Sequence, residues 1–402
     1  MAKGINGGVR LVVFKVLFGS FPFALGAASA LASAPPPTAS VPLLIGTYTG
    51  GQSKGIYLYR FDARSGHIEP RPVQVMPSEN PSWLTLSADH RLLYAVNENG
   101  EGQRDPVGRV SAYRLDPASG RMRAINRTSS LGAEPTHASL SKDGRYLFVA
   151  NYAVSADPGG TLAVLPVDKG GALAPATQIK AYRASMVNPE RQASPHVHSV
   201  VSSPDGRFVF VQDLGGDRIY AYRYDRARAE LPLTALADRP FVELPAGSGP
   251  RHLTFAPDGR HAYATLEMAG QVAVFDHAEG RLTLRQTVRL APEGFSGKVG
   301  AAALHVSPDG RFLSVTDRGT DNQIISFAIA PDDGSLHLVD RRPVEGAEPR
   351  EFAFSPDGRF VLIANQRSHG IKVFRRDPAG GAIGNEVQTL AVDQASDIKF
   401  LR

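Results

Sequence analysis

Short apolar runs separated by polar turns repeat along this chain, and one turn recurs at nearly regular intervals. The turn has the form Pro-Asp-Gly-Arg or a close variant, and the apolar run after it ends in Asn, Asp or Glu. A tight turn between two strand-like runs predicts an antiparallel hairpin. Hairpins that recur about every 50 residues are typical of a β-propeller. The six copies are residues 86–97, 140–151, 202–213, 256–267, 306–317 and 354–365.

Each copy predicts one four-stranded blade. An innermost strand precedes the turn, a second strand follows it, a third follows a polar loop, and a more variable fourth comes last. The predicted third strands are residues 109–116, 161–168, 218–225, 271–277, 323–329 and 370–377.

The two ends of the chain supply a seventh blade. Residues 43–49 and 55–62 resemble second and third strands, whereas residues 395–401 resemble a first strand. A blade shared by both termini closes the ring and leaves no free sheet edge. We therefore predict an all-β fold, a seven-bladed β-propeller of four-stranded antiparallel blades, as a single domain over residues 43–402.

The N-terminal segment has the features of a secretory signal peptide. Lys3, Arg10 and Lys15 precede a stretch of apolar and small residues at 16–34, which is the order of a charged region and a hydrophobic region in such peptides. We predict that residues 1–32 are this peptide, and therefore that the protein is periplasmic or secreted.

Small residues near the end of this stretch predict cleavage between about Ala30 and Ala32. Residues 33–42 are rich in proline and would form a flexible lead-in. An uncleaved membrane anchor is the alternative, but Gly19 and Pro22 interrupt the apolar stretch. After cleavage we expect no membrane association.

Composition excludes several functions. The chain has no cysteine, so disulfides, thiol catalysis and thiolate metal sites are absent. Its formal net charge is +5, and loss of Lys3, Arg10 and Lys15 with the signal peptide would lower it to +2. No run of basic residues interleaved with aromatic residues follows, so we expect no nucleic-acid partner.

Blade topology predicts where chemistry can occur. The start of the first strand and the end of the second lie on one face of a blade, whereas the Pro-Asp-Gly turn lies on the opposite face. The turn motif is therefore scaffold. Asn or Asp residues that end the second strands, such as Asn151 and Asn365, are expected to bond backbone in the neighbouring turn.

Charged residues at the mouth are not uniform between blades. His198, Arg251 and Arg350 occupy the same place, seven residues before the turn Asp, where three other blades have uncharged residues. The scaffold therefore does not require a charge there, which favours a functional role. His137 and His252 fit a structural hydrogen-bond network as well as they fit substrate binding.

This set of side chains suits the hydrolysis of a lactone. The reaction needs a base that activates water and a cation or donors that stabilise the oxyanion. Glu267 or His198 could be the base and Arg251 the oxyanion stabiliser, with Arg318 or Arg350 holding an anionic substituent. Two histidines and one glutamate are weak evidence for a metal, and we expect neither a metal nor a cofactor.

Several long segments resemble the seven-bladed propeller lactonases, a family that includes 6-phosphogluconolactonases and is similar to carboxy-muconate lactonising enzymes. They include IGTYTGGQSKGIYLYRFD, PTHASLSKDGRYLFVANY, SPHVHSVVSSPDGRFVFVQDLGGDRIYAYRYD and GSGPRHLTFAPDGRHAYATLE. The resemblance runs from about residue 43 to the C-terminus. It implies a lactonase that acts on a small lactone or anionic sugar-derived substrate. We expect a monomer. The positions that match the family's motifs are His196, His198, Asp213, Arg251, His252, Glu267, Arg318 and Arg350, to which we add His137 as substrate-binding.

One position departs from the family pattern. Ala303 stands in the fifth blade where the family usually has an acidic residue. Export would also separate the enzyme from cytosolic 6-phosphogluconolactone, so an unphosphorylated sugar lactone suits the location better. The alternatives are a lactonising cycloisomerase for muconate-type dicarboxylates and a propeller that binds without turnover.

Overall fold

The computed structural model of the protein describes residues 40–153 and 162–401, together with residue 11. Apart from residue 11, the predicted signal peptide (residues 1–32), its cleavage site and residues 33–39 of the lead-in lie outside the described residues. Everything described between residues 40 and 401 is built from strands and turns without a helix.

The strands of the first half of the chain are β1 (Ser40–Thr47), β2 (Gly55–Asp62), β3 (Gln74–Pro77), β4 (Leu84–Leu86), β5 (Leu92–Asn97), β6 (Arg109–Leu115), β7 (Met122–Ser129), β8 (Ala133–Leu140), β9 (Tyr146–Ala153), β10 (Leu162–Pro166), β11 (Gln178–Lys180), β12 (Val197–Ser202), β13 (Phe208–Asp213), β14 (Arg218–Tyr224), β15 (Leu233–Ala235) and β16 (Phe241–Glu243). The second half contains β17 (Pro250–Phe255), β18 (His261–Leu266), β19 (Gln271–Ala278), β20 (Arg281–Arg289), β21 (Ala301–Val306), β22 (Phe312–Asp317), β23 (Gln323–Ile329), β24 (Leu336–Pro343), β25 (Pro349–Phe354), β26 (Phe360–Asn365), β27 (Gly370–Arg376), β28 (Ile383–Ala391) and β29 (Ala395–Phe400).

These strands form seven antiparallel sheets, and the predicted seven-bladed propeller is confirmed. Six blades follow the chain as β4–β7, β8–β11, β12–β16, β17–β20, β21–β24 and β25–β28, which we call blades 1 to 6. Blade 3 contains a fifth strand, since both β15 and β16 pair with β14. Consecutive strands of a blade are neighbours, as expected for meanders with short connections.

The two ends of the described chain share blade 7, as predicted. Its strand order is β29-β1-β2-β3, and Ile45 pairs with Ile398 at the centre of the closing contact. β1 begins at Ser40, so residues 40–42 of the predicted flexible lead-in belong to this strand, which corrects that boundary. Pro42 is tolerated because its carbonyl accepts the Leu401 N–H at 2.9 Å, while the paired ladder of β1 with β29 begins only at Leu43, so residue 42 needs no donor.

The recurrent turn is scaffold, in agreement with the prediction. In blade 6 the Ser355 hydroxyl donates to Asp357 Oδ1 at 2.6 Å, and the Arg359 N–H donates to the same oxygen at 3.2 Å. Gly358 adopts a φ of 70°, which glycine reaches without steric cost. The motif therefore fixes the hairpin on the face opposite the candidate site.

The hydrophobic core lies between neighbouring blades. Phe208 and Phe210 of blade 3 are fully buried against Leu266 and Phe275 of blade 4. Because successive side chains of a strand point to opposite faces, every blade contributes to two such layers. The ring therefore holds the innermost strands rigidly around the channel.

Candidate active site

A cluster of arginines around one buried glutamate occupies the channel mouth. Glu267 directly follows β18, and Arg251 lies on β17 of the same blade. Arg318 directly follows β22 in blade 5. Glu267 Oε2 lies 3.1 Å from Arg251 Nε and 2.8 Å from Arg318 Nη2. The ends of second strands and the starts of first strands thus meet at one face, as the blade topology predicts.

A third arginine completes the contacts of Glu267. Arg191 Nη2 lies 2.7 Å from Glu267 Oε1 and donates to the Tyr152 hydroxyl at 3.3 Å. It belongs to residues 181–196, the longest connection between two blades of the ring. Sequence reasoning missed Arg191 because it belongs to no repeat. The unusual length of its loop is the signal that could have indicated it, since long loops in compact domains are often functional.

The charges of the cluster fix the protonation state of Glu267. Burial alone would raise its pKa, but Arg318, Arg251 and Arg191 outweigh burial and hold the pKa at about 2. Glu267 is therefore a carboxylate at neutral pH, with both oxygens engaged by guanidinium groups.

Arg251 is the most deeply buried member of the cluster. Its side chain is 1% exposed. Burial and the neighbouring Arg318 lower its pKa to about 9, so Arg251 remains a cation at neutral pH. Nη1 also lies 3.3 Å from Nε2 of His252. A buried cation of this kind stabilises negative charge more strongly than a solvated one.

His198 projects into the same region from β12. Its ring centroid lies 5.1 Å from that of His252 and 5.6 Å from that of Tyr152. Burial, Arg251 and Arg350 hold its pKa well below the usual value, so the imidazole is neutral. Among the described residues, its buried Nδ1 has no hydrogen-bond partner. This nitrogen is therefore able to bond to a substrate or to water.

A second ion pair forms the opposite side of the mouth. Arg350 on β25 places Nη2 3.4 Å from Glu98 Oε2, and its guanidinium lies 5.1 Å from the centre of the Tyr48 ring. The Tyr48 hydroxyl donates to Glu98 Oε2 at 2.8 Å. Arg318 also reaches Glu348, with Nη1 2.8 Å from Oε1. Glu98 and Glu348 occupy mouth positions of the repeat but are not among the predicted site residues.

The remaining predicted residues lie further from the cluster. His196 stacks on Tyr152, with ring centroids 4.5 Å apart. Asp213 is fully buried and accepts the His196 backbone N–H at 2.8 Å, a contact that fixes the entry to β12. His137 is deeper in the channel and packs on Trp83 with centroids 4.3 Å apart. A contact of these three residues with substrate remains a prediction.

The structural interpretation of the asparagines is confirmed. Asn151 Nδ2 donates to the Ser130 carbonyl at 3.1 Å, and Asn365 Nδ2 donates to the Val344 carbonyl at 3.4 Å. Both acceptors lie in the connection between blades. These side chains hold the ring together and are not available for chemistry.

Ala303 follows Ala302, which occupies in blade 5 the position held by Arg251 in blade 4 and by Arg350 in blade 6. The equivalent positions in blades 6 and 7 are Glu351 and Asp397, both fully buried. Ala303 itself packs against Val344 and Phe352 in an apolar cluster. Its backbone N–H donates to Thr316 Oγ1 at 3.1 Å, and its small apolar side chain fits this cluster.

No group of three or more histidine or acidic side chains with the geometry of a metal site occurs in the described parts of the chain. Those parts also contain no helix with the length and apolar character needed to span a bilayer.

The fold is a seven-bladed β-propeller with a charged mouth, and the chain belongs to the seven-bladed β-propeller lactonase family. The model of that family matches residues 42–400. The protein is thus a lactone hydrolase similar to 6-phosphogluconolactonases.

Individual relatives support this assignment. The 6-phosphogluconolactonases of Formosa agariphila and Bacillus subtilis are each 30% identical to the chain over 89% of its length, and the match covers 99% and 97% of their own lengths. The solved structure of the periplasmic gluconolactonase of Pseudomonas aeruginosa is 55% identical, with a TM-score of 0.87, and the match covers 90% of this chain and 99% of that one. Of the alternatives that the sequence left open, these relatives support the lactonase.

Proposed function

We propose that this protein hydrolyses an unphosphorylated sugar lactone of the gluconolactone type outside the cytoplasm. The observation that carries the proposal is the pairing of the arginines at the mouth. Arg251 and Arg191 contact Glu267, Arg318 contacts both Glu267 and Glu348, and Arg350 contacts Glu98. A phosphate dianion would have to compete with these carboxylates for every guanidinium group. A neutral lactone needs only hydrogen bonds and one cation at the reacting carbonyl.

The contacts favour His198 over Glu267 as the base. Both oxygens of Glu267 are held by arginines and its pKa is about 2, so it is a poor proton acceptor. His198 is neutral and its Nδ1 is unpaired within the described residues. Its lowered pKa makes it a weak base, but a lactone opens in water unaided and needs only modest activation.

Arg251 is the proposed oxyanion stabiliser. It lies on a rigid strand next to His198 in the ring, and Glu267 fixes the orientation of its guanidinium at 3.1 Å. Water attacks the lactone carbonyl while His198 accepts a proton, and the resulting oxyanion is held by Arg251. Removal of one such donor typically lowers kcat by about 100-fold to 1,000-fold.

The location is supported by two observations. The P. aeruginosa neighbour is named a periplasmic gluconolactonase, and the N-terminal residues have the order of a signal peptide. Mass spectrometry of the exported protein should give a new N-terminus close to Ala30 or Ala32. A mature chain that retains Met1 would contradict cleavage of this segment as a signal peptide.

The test of the proposed function is the hydrolysis of gluconolactone and 6-phosphogluconolactone by the purified protein. Proton release in weak buffer is followed and corrected for spontaneous opening. We expect kcat/KM to be at least about tenfold higher for gluconolactone, a difference of about 1.4 kcal/mol. A preference for the phosphorylated lactone would show that the paired arginines do accept phosphate. Acceleration of neither would refute the proposal.

A further inference from the structure

Glu134 holds a backbone conformation that favours glycine, at the entry to the innermost strand of blade 2. Its φ is 53°, and the same place in blade 4 is occupied by Gly249 with a φ of 62°. Glycine adopts this left-handed region freely, whereas other residues do so at a cost. In blade 6 the same place is occupied by Glu348 with a φ of 60°, and its carboxylate reaches Arg318 at the mouth. A long side chain at this position of the repeat therefore points toward the candidate active site.

Among the residues that the structure describes, no cationic side chain pairs with the mouth carboxyl group of Glu134. Glu98, Glu267 and Glu348 each contact an arginine. The backbone N–H of Glu134 donates to the Asn99 carbonyl at 2.7 Å. Its carboxyl group makes no hydrogen bond or ion pair with any residue that the structure describes. A half-buried carboxyl group at a strained position, with no partner in the described part of the chain, is available for substrate.

The loop after β5 leaves room for this carboxyl group. A Cβ atom on Gly100 would lie 2.6 Å from Glu134 Cγ and 2.9 Å from its Oε1. The pairing of β8 with β9 places Glu134 beside Tyr152, whose ring contacts that of His198. Glu134 therefore borders the same space as the proposed base.

The electrostatic surroundings of Glu134 suit a proton donor. Burial and the nearby Glu98 raise its pKa. Glu267 is ionised and the guanidinium groups do not release protons at neutral pH. Glu134 therefore retains a proton more readily than Glu267 does. Burial also raises the pKa of Asp213, to about 7, but Asp213 Oδ1 already accepts the His196 backbone N–H at the entry to β12.

We propose that Glu134 is a further catalytic residue, the general acid that protonates the ring oxygen as the lactone opens. The inference rests on the proposed function. Water forms a bond to the carbonyl carbon and gives a proton to His198. The bond between that carbon and the ring oxygen then breaks, and the ring oxygen keeps the electron pair and takes the proton of Glu134. The product is the open hydroxy acid, and solvent returns the proton from His198 to Glu134.

The test compares Glu134→Gln and Glu134→Gly with the wild-type protein. Gln394→Gly is the matched control, since Gln394 occupies the same place in blade 7 with a φ of 47°. For each protein, kcat and KM for gluconolactone are measured from about pH 4 to about pH 8, and the melting temperature is recorded. General acid catalysis contributes about 100-fold or more, so we expect kcat to fall about 100-fold in both Glu134 variants with little change in KM. Glu134→Gly should melt no lower than wild type, because glycine relieves the left-handed backbone.

The pH profile separates a proton donor from a binding group. A general acid acts in its protonated form, so wild-type kcat should decline as pH rises through the pKa of Glu134. This decline should be absent in Glu134→Gln. A raised KM with unchanged kcat, an unchanged pH profile, or an equal loss in Gln394→Gly would overturn the inference. Failure of the wild-type protein to accelerate lactone opening would instead reject the proposed function and this inference with it.

Discussion

Substitution of Glu267 by glutamine tests the charge cluster directly. The ordinary pKa of this carboxyl group is 4.5, and the arginines lower it to about 2 in the folded protein. A shift of one unit corresponds to about 1.36 kcal/mol, so the ionised group contributes about 3 kcal/mol to the free energy of unfolding at neutral pH. The side chain is 7% exposed, and solvent screening therefore reduces this contribution little.

The measurement is thermal unfolding of both proteins at neutral pH. An unfolding entropy of about 2.1 cal/mol/K per residue gives about 0.8 kcal/mol/K for a domain of this length. A loss of about 3 kcal/mol should then lower the melting temperature by about 4 °C. The control is Glu279→Gln, which removes the exposed contact of Glu279 with Arg207. Exposed ion pairs contribute little, so this variant should melt within about 1 °C of wild type.

The pH dependence checks the assigned cause. A carboxyl group with a lowered pKa stabilises the fold above its unfolded pKa, and the contribution is lost as pH falls through the folded pKa. The difference between wild type and Glu267→Gln should therefore be constant above about pH 5 and should shrink between about pH 4.5 and about pH 2. A difference that is absent at neutral pH, or that does not change with pH, would refute the proposed role of the three arginines.

Three further variants test other parts of the structure. Arg251→Lys should lower kcat for gluconolactone at least about 100-fold, because a lysine cannot reproduce the guanidinium geometry; unchanged kcat would exclude the oxyanion role. Arg350→Gln should raise KM about tenfold with little change in kcat. Steady-state kinetics measure both constants, and a fall in kcat with unchanged KM would contradict this prediction. Ile398→Ala truncates a side chain of the closing strand that is only 1% exposed, and it should lower the free energy of unfolding by about 2–5 kcal/mol. Chemical denaturation measures this free energy, and a loss well below that range would contradict the importance of ring closure.

The ring was predictable from sequence because the same physical pattern occurs in every blade. Each blade needs one tight turn and alternating apolar runs, so the signal is repeated and local. Closure of the ring was also predictable, because residues 395–401 resemble the first strand of a blade and no second strand follows them in the sequence. The start of β1 at Ser40 was missed because proline-rich sequence usually disfavours strands. Only the pairing partners show that Pro42 needs no donor there.

The site was predictable only where it follows the repeat. Arg251, Glu267 and Arg318 share positions with equivalent residues of other blades, so blade topology alone predicts that they lie together. Arg191 is held by a loop that has no counterpart, and its contact with Glu267 depends on the path of residues 181–196. No local pattern encodes such a path. The sequence likewise left open whether Glu267 or His198 is the proposed base, because only the contacts show that both oxygens of Glu267 are already paired with arginines.

The same contacts that define the site also join the blades. Glu267 connects Arg251 of its own blade with Arg318 of blade 5, and Arg318 connects onward to Glu348 at the entry to blade 6. Removal of one partner from a buried ion pair leaves an uncompensated charge and is strongly destabilising. A loss of activity in this cluster therefore has two physical sources, a missing catalytic group and a shifted blade. Glu134 has no such contact within the described chain, so its substitution separates chemistry from the integrity of the ring.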